Sequence, residues 1–133
     1  MSKSLPAVPY VVLCFGGRDY SDTYVVDQAL RQTWAALGHV FCVLDGLARG
    51  ADSIAHNVAT SLGLPTMRMP ANWDRYGKAA GSMRNQWMLT YGRPDMGIEF
   101  PGGRGTADMN ARLVSANIPV IRAVDLVPVR PVN

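Results

Sequence analysis

Tyr10-Val11-Val12-Leu13-Cys14-Phe15-Gly16-Gly17-Arg18-Asp19 joins an uncharged, largely apolar run to a double glycine, a cation and a carboxylate. An apolar run that continues without alternation marks a strand covered on both faces, the situation of strands in a parallel sheet. Glycines at its end predict a tight turn into a crossover helix, with polar groups held at the strand's carboxyl edge.

The same unit repeats along the chain. A helix fits Asp22 to Leu37, capped by Ser21 or Asp22, with Val26, Leu30, Thr33 and Leu37 on one face and Gly38 as its stop. Val40 to Leu44 reads as the second strand, and Asp52 to Leu62 as the second helix, closed by Gly63. Pro65 to Met69 is a weaker third strand, and Pro70 to Gly81 reads as a long loop. A third helix is expected from Ser82 to Tyr91, with Met83, Trp87 and Tyr91 along one side. Met96 to Phe100, Thr106 to Asn117 and Pro119 to Val124 then give strand, helix and strand. Five strands joined by crossover helices predict an α/β fold with one doubly wound parallel sheet, order 3-2-1-4-5, and helices on both faces.

The 133 residues and 14.4 kDa suit a single domain over 1–133, with a core of about 10–124 and a short Pro-rich C-terminal tail. That size excludes a multidomain enzyme with a separate substrate domain. With 48% hydrophobic and 17% charged residues, the composition is that of a globular chain rather than a disordered one. The net charge of +3 accommodates an anionic partner, and eleven of the thirteen cations are Arg, whose planar fork suits phosphate. Cys14 and Cys42 lie inside apolar runs without metal-ligand spacing, so they read as buried reduced thiols, and neither a metal nor a cofactor is expected. The absence of a signal peptide or an apolar run near 18 residues predicts a cytoplasmic protein with no membrane partner.

Every distinctive segment follows a strand. Gly102-Gly103-Arg104-Gly105-Thr106 is the strongest: converging backbone N–H groups, a helix N-terminus and a hydroxyl together suit a phosphate. Its glycine spacing matches neither the phosphate loop ending in Gly-Lys-Ser/Thr nor the dinucleotide fingerprint. Gly16, Gly17, Arg18 and Asp19 suit phosphate oxygens and ribose hydroxyls. Arg49 and Asp52 flank Gly50 at a helix entrance, where Asp52 reads first as a cap. Arg84 and Asn85 sit in the first turn of the third helix, and Trp73 and Tyr76 are aromatic planes able to stack a base. His56 reads as an ordinary interface histidine, and His39 carries no site argument.

Taken in order, Gly16 to Tyr20, Gly46 to Asp52, Ala71-Asn72-Trp73, Tyr76 to Gly81, Arg84-Asn85 and Phe100 to Ala107 resemble the SLOG superfamily. This Rossmann-like group includes the LOG phosphoribohydrolases and DNA-processing protein A, and the small YspA-like branch is the most similar. The resemblance spans about Val11 to Val124 and implies a nucleotide-derived small molecule at the sheet edge. It also implies ligand contacts from Gly16, Gly17, Arg18, Asp19, Gly46, Arg49, Asn72, Trp73, Arg84, Asn85, Gly102, Gly103, Arg104, Gly105 and Thr106, and a homo-oligomer, dimer or higher. The phosphoribohydrolase signature Pro-Gly-Gly-x-Gly-Thr-x-x-Glu departs at its end, where this chain has Met109, a side chain that can neither carry charge nor move a proton. Asp108 is adjacent, but one helical step turns a side chain by about 100°.

The leading expectation is therefore a protein that holds an ADP-ribose-like or cyclic signalling nucleotide, as a sensor or by sequestration. The alternative is a nucleotide N-glycosidase in which Arg84 acts with a displaced carboxylate such as Asp45, Asp19 or Asp74. Gly46-Leu47-Ala48-Arg49-Gly50-Ala51-Asp52 with Ala55-His56 also resembles DNA-processing protein A, so single-stranded DNA is a third class of partner. Against it, the chain has no cationic run.

Overall fold

The computed structural model describes residues 9–127. β1 (Val11–Phe15) is buried along its whole length and pairs in parallel with β2 (Cys42–Asp45) and β4 (Met96–Glu99). β3 (Thr66–Arg68) and β5 (Val120–Arg122) complete a five-stranded sheet in the order β3-β2-β1-β4-β5. The helices among the described residues are α1 (Thr23–Leu37), α2 (Ala51–Ser61), α3 (Trp73–Tyr76), α4 (Ala80–Trp87), α5 (Arg104–Ser115) and α6 (Ala123–Leu126).

Because strand side chains alternate, one sequence run feeds two cores. Val12, Cys14, Val43 and Ile98 pack under α1 and α2, while Val11, Leu13, Phe15 and Leu44 meet Met88, Met109 and Leu113 on the opposite face. Both thiols are buried. Burial pushes Cys14 and Cys42 above the usual thiol range, and at Cys14 the charges of Asp45 and Asp52 add to the effect.

The first helix starts and stops where its caps predict: Asp22 Oδ1 accepts from the Val25 N–H at 3.2 Å, and Gly38 closes the helix in the left-handed region at φ 75°. Three expectations need correction. The segment Pro70–Gly81 is largely helical. Asn72 caps α3 by accepting the Arg75 N–H at 3.1 Å, residues Gly77–Ala79 form a 3-10 turn, and α4 begins at Ala80 rather than Ser82. These short turns are held by tertiary contacts, Tyr76 against Trp87 at 6.0 Å and the Trp73 indole over Gly81, which local propensity does not record. Beyond Trp87 the expected single helix widens into a π-turn over Met88–Gly92. Finally, β5 ends at Arg122, and Ala123–Leu126 turn into α6, which buries Ala123 against the α1 side of the core. The proline-rich tail lies mostly outside the described residues.

Candidate functional site

β1 and β4 are neighbours, and the chain leaves them toward opposite faces, so the loops at their carboxyl ends open a crevice. The Gly17 N–H donates to the Pro101 carbonyl at 2.9 Å and ties the two loops together. A Cβ on Gly102 would meet Thr106 Oγ1 and, at 2.6 Å, the Gly17 nitrogen, so only glycine permits this close approach. Beside the junction lies a cleft of about 620 Å³, within the range of small-molecule sites.

One of its walls is the start of α5. Gly103 is the N-cap and offers no side-chain bond, which leaves the N–H groups of the first turn free beside the cleft. Thr106 is buried, and its hydroxyl makes no hydrogen bond among the described residues. Arg18, Lys78, Arg84 and Arg104 also line the cleft. Arg18 Cζ sits 4.9 Å from the Trp73 ring centroid, so the guanidinium stacks on an indole that is 45% exposed.

Arg84 is buried in the cleft wall. Its Nε donates to Asn85 Oδ1 at 3.0 Å and its Nη1 to the Gly46 carbonyl. Burial lowers its pKa, the Arg18 charge adds to that, and Asp52 opposes it. Asn85 extends the network to α5 by donating to Asp108 Oδ2 at 2.9 Å and to the Gly105 carbonyl at 3.3 Å. Asp108 also accepts from Arg112 Nε at 2.8 Å. Burial pushes the Asp108 carboxyl up, but these hydrogen bonds and the Arg112 charge outweigh it and hold the group below its ordinary value.

Asp52 is the carboxylate whose role the sequence did not reveal. It stands second in α2 and does not cap that helix. Its Oδ2 accepts from the N–H of Gly46 at 2.9 Å and of Ala48 at 3.4 Å, folding the β2–α2 loop back over the helix. Its Oδ1 has no hydrogen bond among the described residues, and the side chain is only 5% exposed at the cleft wall. Burial first, then the Asp45 charge, push its pKa up to about 6 against the pull of Arg84 and the two N–H groups.

The cleft brings together Gly16, Gly17, Arg18, Trp73, Arg84, Asn85, Gly103, Arg104, Gly105 and Thr106 from the expected set. Gly102 packs behind it, Gly46 and Arg49 line a smaller adjoining cleft, and Asn72 is turned to capping α3. Asp19 points to solvent and pairs with Arg49 at 3.2 Å. Asp45 is wholly buried: both its oxygens accept from Arg68 Nε, at 3.0 and 3.1 Å, and Oδ1 also accepts from the Leu47 N–H at 2.7 Å. Burial raises its pKa, opposed by those partners, and the carboxylate does not line the cleft. Asp74 likewise lies outside the main cleft. Tyr76 packs on Trp87 instead of facing the cleft, whereas Asp108 does reach the cleft wall despite its helical offset from Met109. His56 Nδ1 is buried without a hydrogen-bond partner, 4.0 Å from Asp45 Oδ2. Lys78 and Ser82 were also missed, since both lie in the stretch around the expected loop's end. Among the described residues no group of His, Cys, Asp or Glu could hold a metal ion, and no helix is long and apolar enough to cross a membrane.

A Rossmann-like α/β domain with a cation-lined cleft where strand order reverses is the class that the fold and site define. Within it, the chain belongs to the YspA, cpYpsA-related SLOG family, whose match covers residues 10–76. It is 34% identical over 121 residues to the Gene 61 protein of Mycobacterium phage D29, spanning 86% of this chain and 96% of that protein. Two solved structures share the fold at 18% identity and a TM-score of 0.63. TM1055, a structural genomics target, matches over 84% of this chain and 72% of its own, and the molybdenum cofactor carrier protein of Chlamydomonas reinhardtii over 86% and 76%.

Proposed function

We propose that this protein binds a nucleotide-derived small molecule in the cleft beside α5 and holds it, as a sensor or by sequestration. The observation that carries the reading is the uncapped α5 N-terminus with the unpartnered Thr106 hydroxyl, set among the guanidinium groups of Arg18, Arg84 and Arg104. Of the two carboxylates in the cleft wall, Asp108 is already occupied by Asn85 and Arg112, so the site favours an anion. Trp73 supplies a plane for a base, and Asp52 Oδ1 is the free acceptor for a ribose hydroxyl, a role that the sequence suggests for Asp19.

Holding is favoured over cleavage because the buried Met109 stands in the cleft wall where the phosphoribohydrolase pattern has its glutamate. The fold neighbour named as a cofactor carrier fits this reading, though its likeness is one of fold alone. Mass spectrometry of the small molecule that co-purifies, followed by chromatography after incubation with nucleoside monophosphates, tests the assignment. Intact ligand is expected. Free base at catalytic turnover would replace holding with N-glycosidic hydrolysis, in which Arg84 acts with Asp52 as the displaced carboxylate.

Trp73→Ala is expected to weaken ligand binding by roughly tenfold or more, the scale of losing one base stack, at about 1–3 kcal/mol. Titration calorimetry measures it, and unchanged affinity would remove the stacking role. The cations gather in a cleft rather than along a track. An oligonucleotide titration at micromolar protein should therefore show no salt-dependent shift, and a steep salt slope would restore the DNA reading. We also propose a homo-oligomer, for which a monomer mass by light scattering would be the refutation.

A further inference from the structure

A closed run of hydrogen bonds joins α4 to α5 at the cleft wall. Asn85 is buried, and both of its amide hydrogens are spent within the protein: Nδ2 donates to Asp108 Oδ2 at 2.9 Å and to the Gly105 carbonyl at 3.3 Å. Its Oδ1 accepts from Arg84 Nε at 3.0 Å. The partners dictate this orientation, because a guanidinium only donates whereas a carboxylate and a carbonyl only accept. Asp108 Oδ2 also accepts from Arg112 Nε, and Arg112 Nη1 donates to Gln86 Oε1 at 2.9 Å, which brings the run back to α4.

Asn85 thus touches two parts of the candidate anion site at once, the Arg84 guanidinium and the first turn of α5. With Nε held by Asn85 and Nη1 by the Gly46 carbonyl, the guanidinium plane is fixed, and Nη2 is its one nitrogen without a hydrogen bond among the described residues. An amide with no hydrogen left to donate has little to offer an anion, although the sequence marks Asn85 as a ligand contact.

We propose that Asn85 and Asp108 are positioning residues: Asp108 orients the Asn85 amide, and Asn85 holds the Arg84 guanidinium in place against the start of α5. This rests on the nucleotide-binding reading of the cleft and specifies how its anion-binding groups are kept aligned. The role gives Asp108 a sign opposite to its charge. Removing a carboxylate from the wall of an anion site should tighten anion binding, whereas removing the acceptor that orients Asn85 should weaken it.

Calorimetry with AMP as the probe, on the native protein, Asn85→Ala, Asp108→Ala and the double variant, tests this. Asn85→Ala is expected to weaken AMP by roughly tenfold and Asp108→Ala by roughly fivefold, the scale of losing hydrogen bonds to charged groups. In the Asn85→Ala background, Asp108→Ala should weaken AMP no further, since no amide remains for it to orient. Unchanged or tighter binding in either single variant would overturn the inference. So would two losses that multiply, because each side chain would then meet the ligand by itself. A second measurement needs no ligand. The NMR signal of the Arg84 Nε–H, assigned by its loss in Arg84→Lys, should exchange with solvent at least about tenfold faster in Asn85→Ala than in the native protein. Equal protection in that variant would overturn the inference. If AMP does not bind the native protein while the Nε–H responds as expected, the nucleotide-binding reading fails and the positioning of Arg84 by Asn85 stands.

Discussion

Valine in place of Gly103 is expected to abolish ligand binding, weakening it by at least about 100-fold, while the fold survives nearly intact. A Cβ at this position meets nothing within 4 Å, so the added side chain enters the open space of the cleft beside the free N–H groups of α5. The cost to the fold is that of a poor N-cap residue, about 1 kcal/mol, or about 4 °C in melting temperature. One residue earlier, the balance reverses. Gly102→Ala would drive a methyl group into Thr106 and to 2.6 Å from the Gly17 nitrogen, where backbone rather than a flexible side chain must yield. Overpacking of that kind costs about 1–3 kcal/mol, so Gly102→Ala should melt well below Gly103→Val. Thermal unfolding and calorimetry on both variants separate the roles. Normal affinity in Gly103→Val would place the ligand elsewhere.

Acidification from pH 7.5 to pH 5 is expected to stabilise the fold. Asp52 has a folded pKa of about 6 and an ordinary value of 3.8, so between those values the folded state binds its proton more tightly than the unfolded chain does. The resulting stability is fully present below 3.8 and is lost as pH rises through about 6. The full difference is about 3 kcal/mol, of which roughly half is regained by pH 5. Asp45, also raised by burial, acts in the same direction. Asp108, held low, acts in the opposite direction, but its window lies below 3.8. Urea unfolding across this range should show the slope, and Asp52→Asn should flatten most of it. A profile that is flat or rises with pH between 5 and 7.5 would mean that Asp52 is not a desolvated carboxylate. The energetic meaning is that a charged group is kept at the cleft wall at a cost to the fold, as expected for a site residue.

The strand order was readable because continuous apolar runs alternating with helix-period segments leave few right-handed topologies. The glycine loops and Arg84 followed from it, since carboxyl-edge loops must share one side of the sheet. Asp45 was not readable. Its strand position is plain, but the register that sets it beside Arg68 is a property of two paired strands, and that pairing turns a candidate site carboxylate into a buried ion pair. Asp52 failed for the converse reason. An aspartate near a helix start suggests a cap, and only the path of the loop shows its carboxylate serving Gly46 and Ala48 instead.

What Tyr10 to Asp19 and its counterparts determined by themselves is the layered α/β architecture and the edge on which the cleft opens, because hydrophobic period and glycine turns act locally. Which side chains meet at that edge was decided by the tertiary structure alone. Asp52 with its free oxygen, Arg18 laid on Trp73, and the second cleft behind them depend on distances between segments far apart in the chain, and those distances exist only once the sheet has closed its register and the helices have packed.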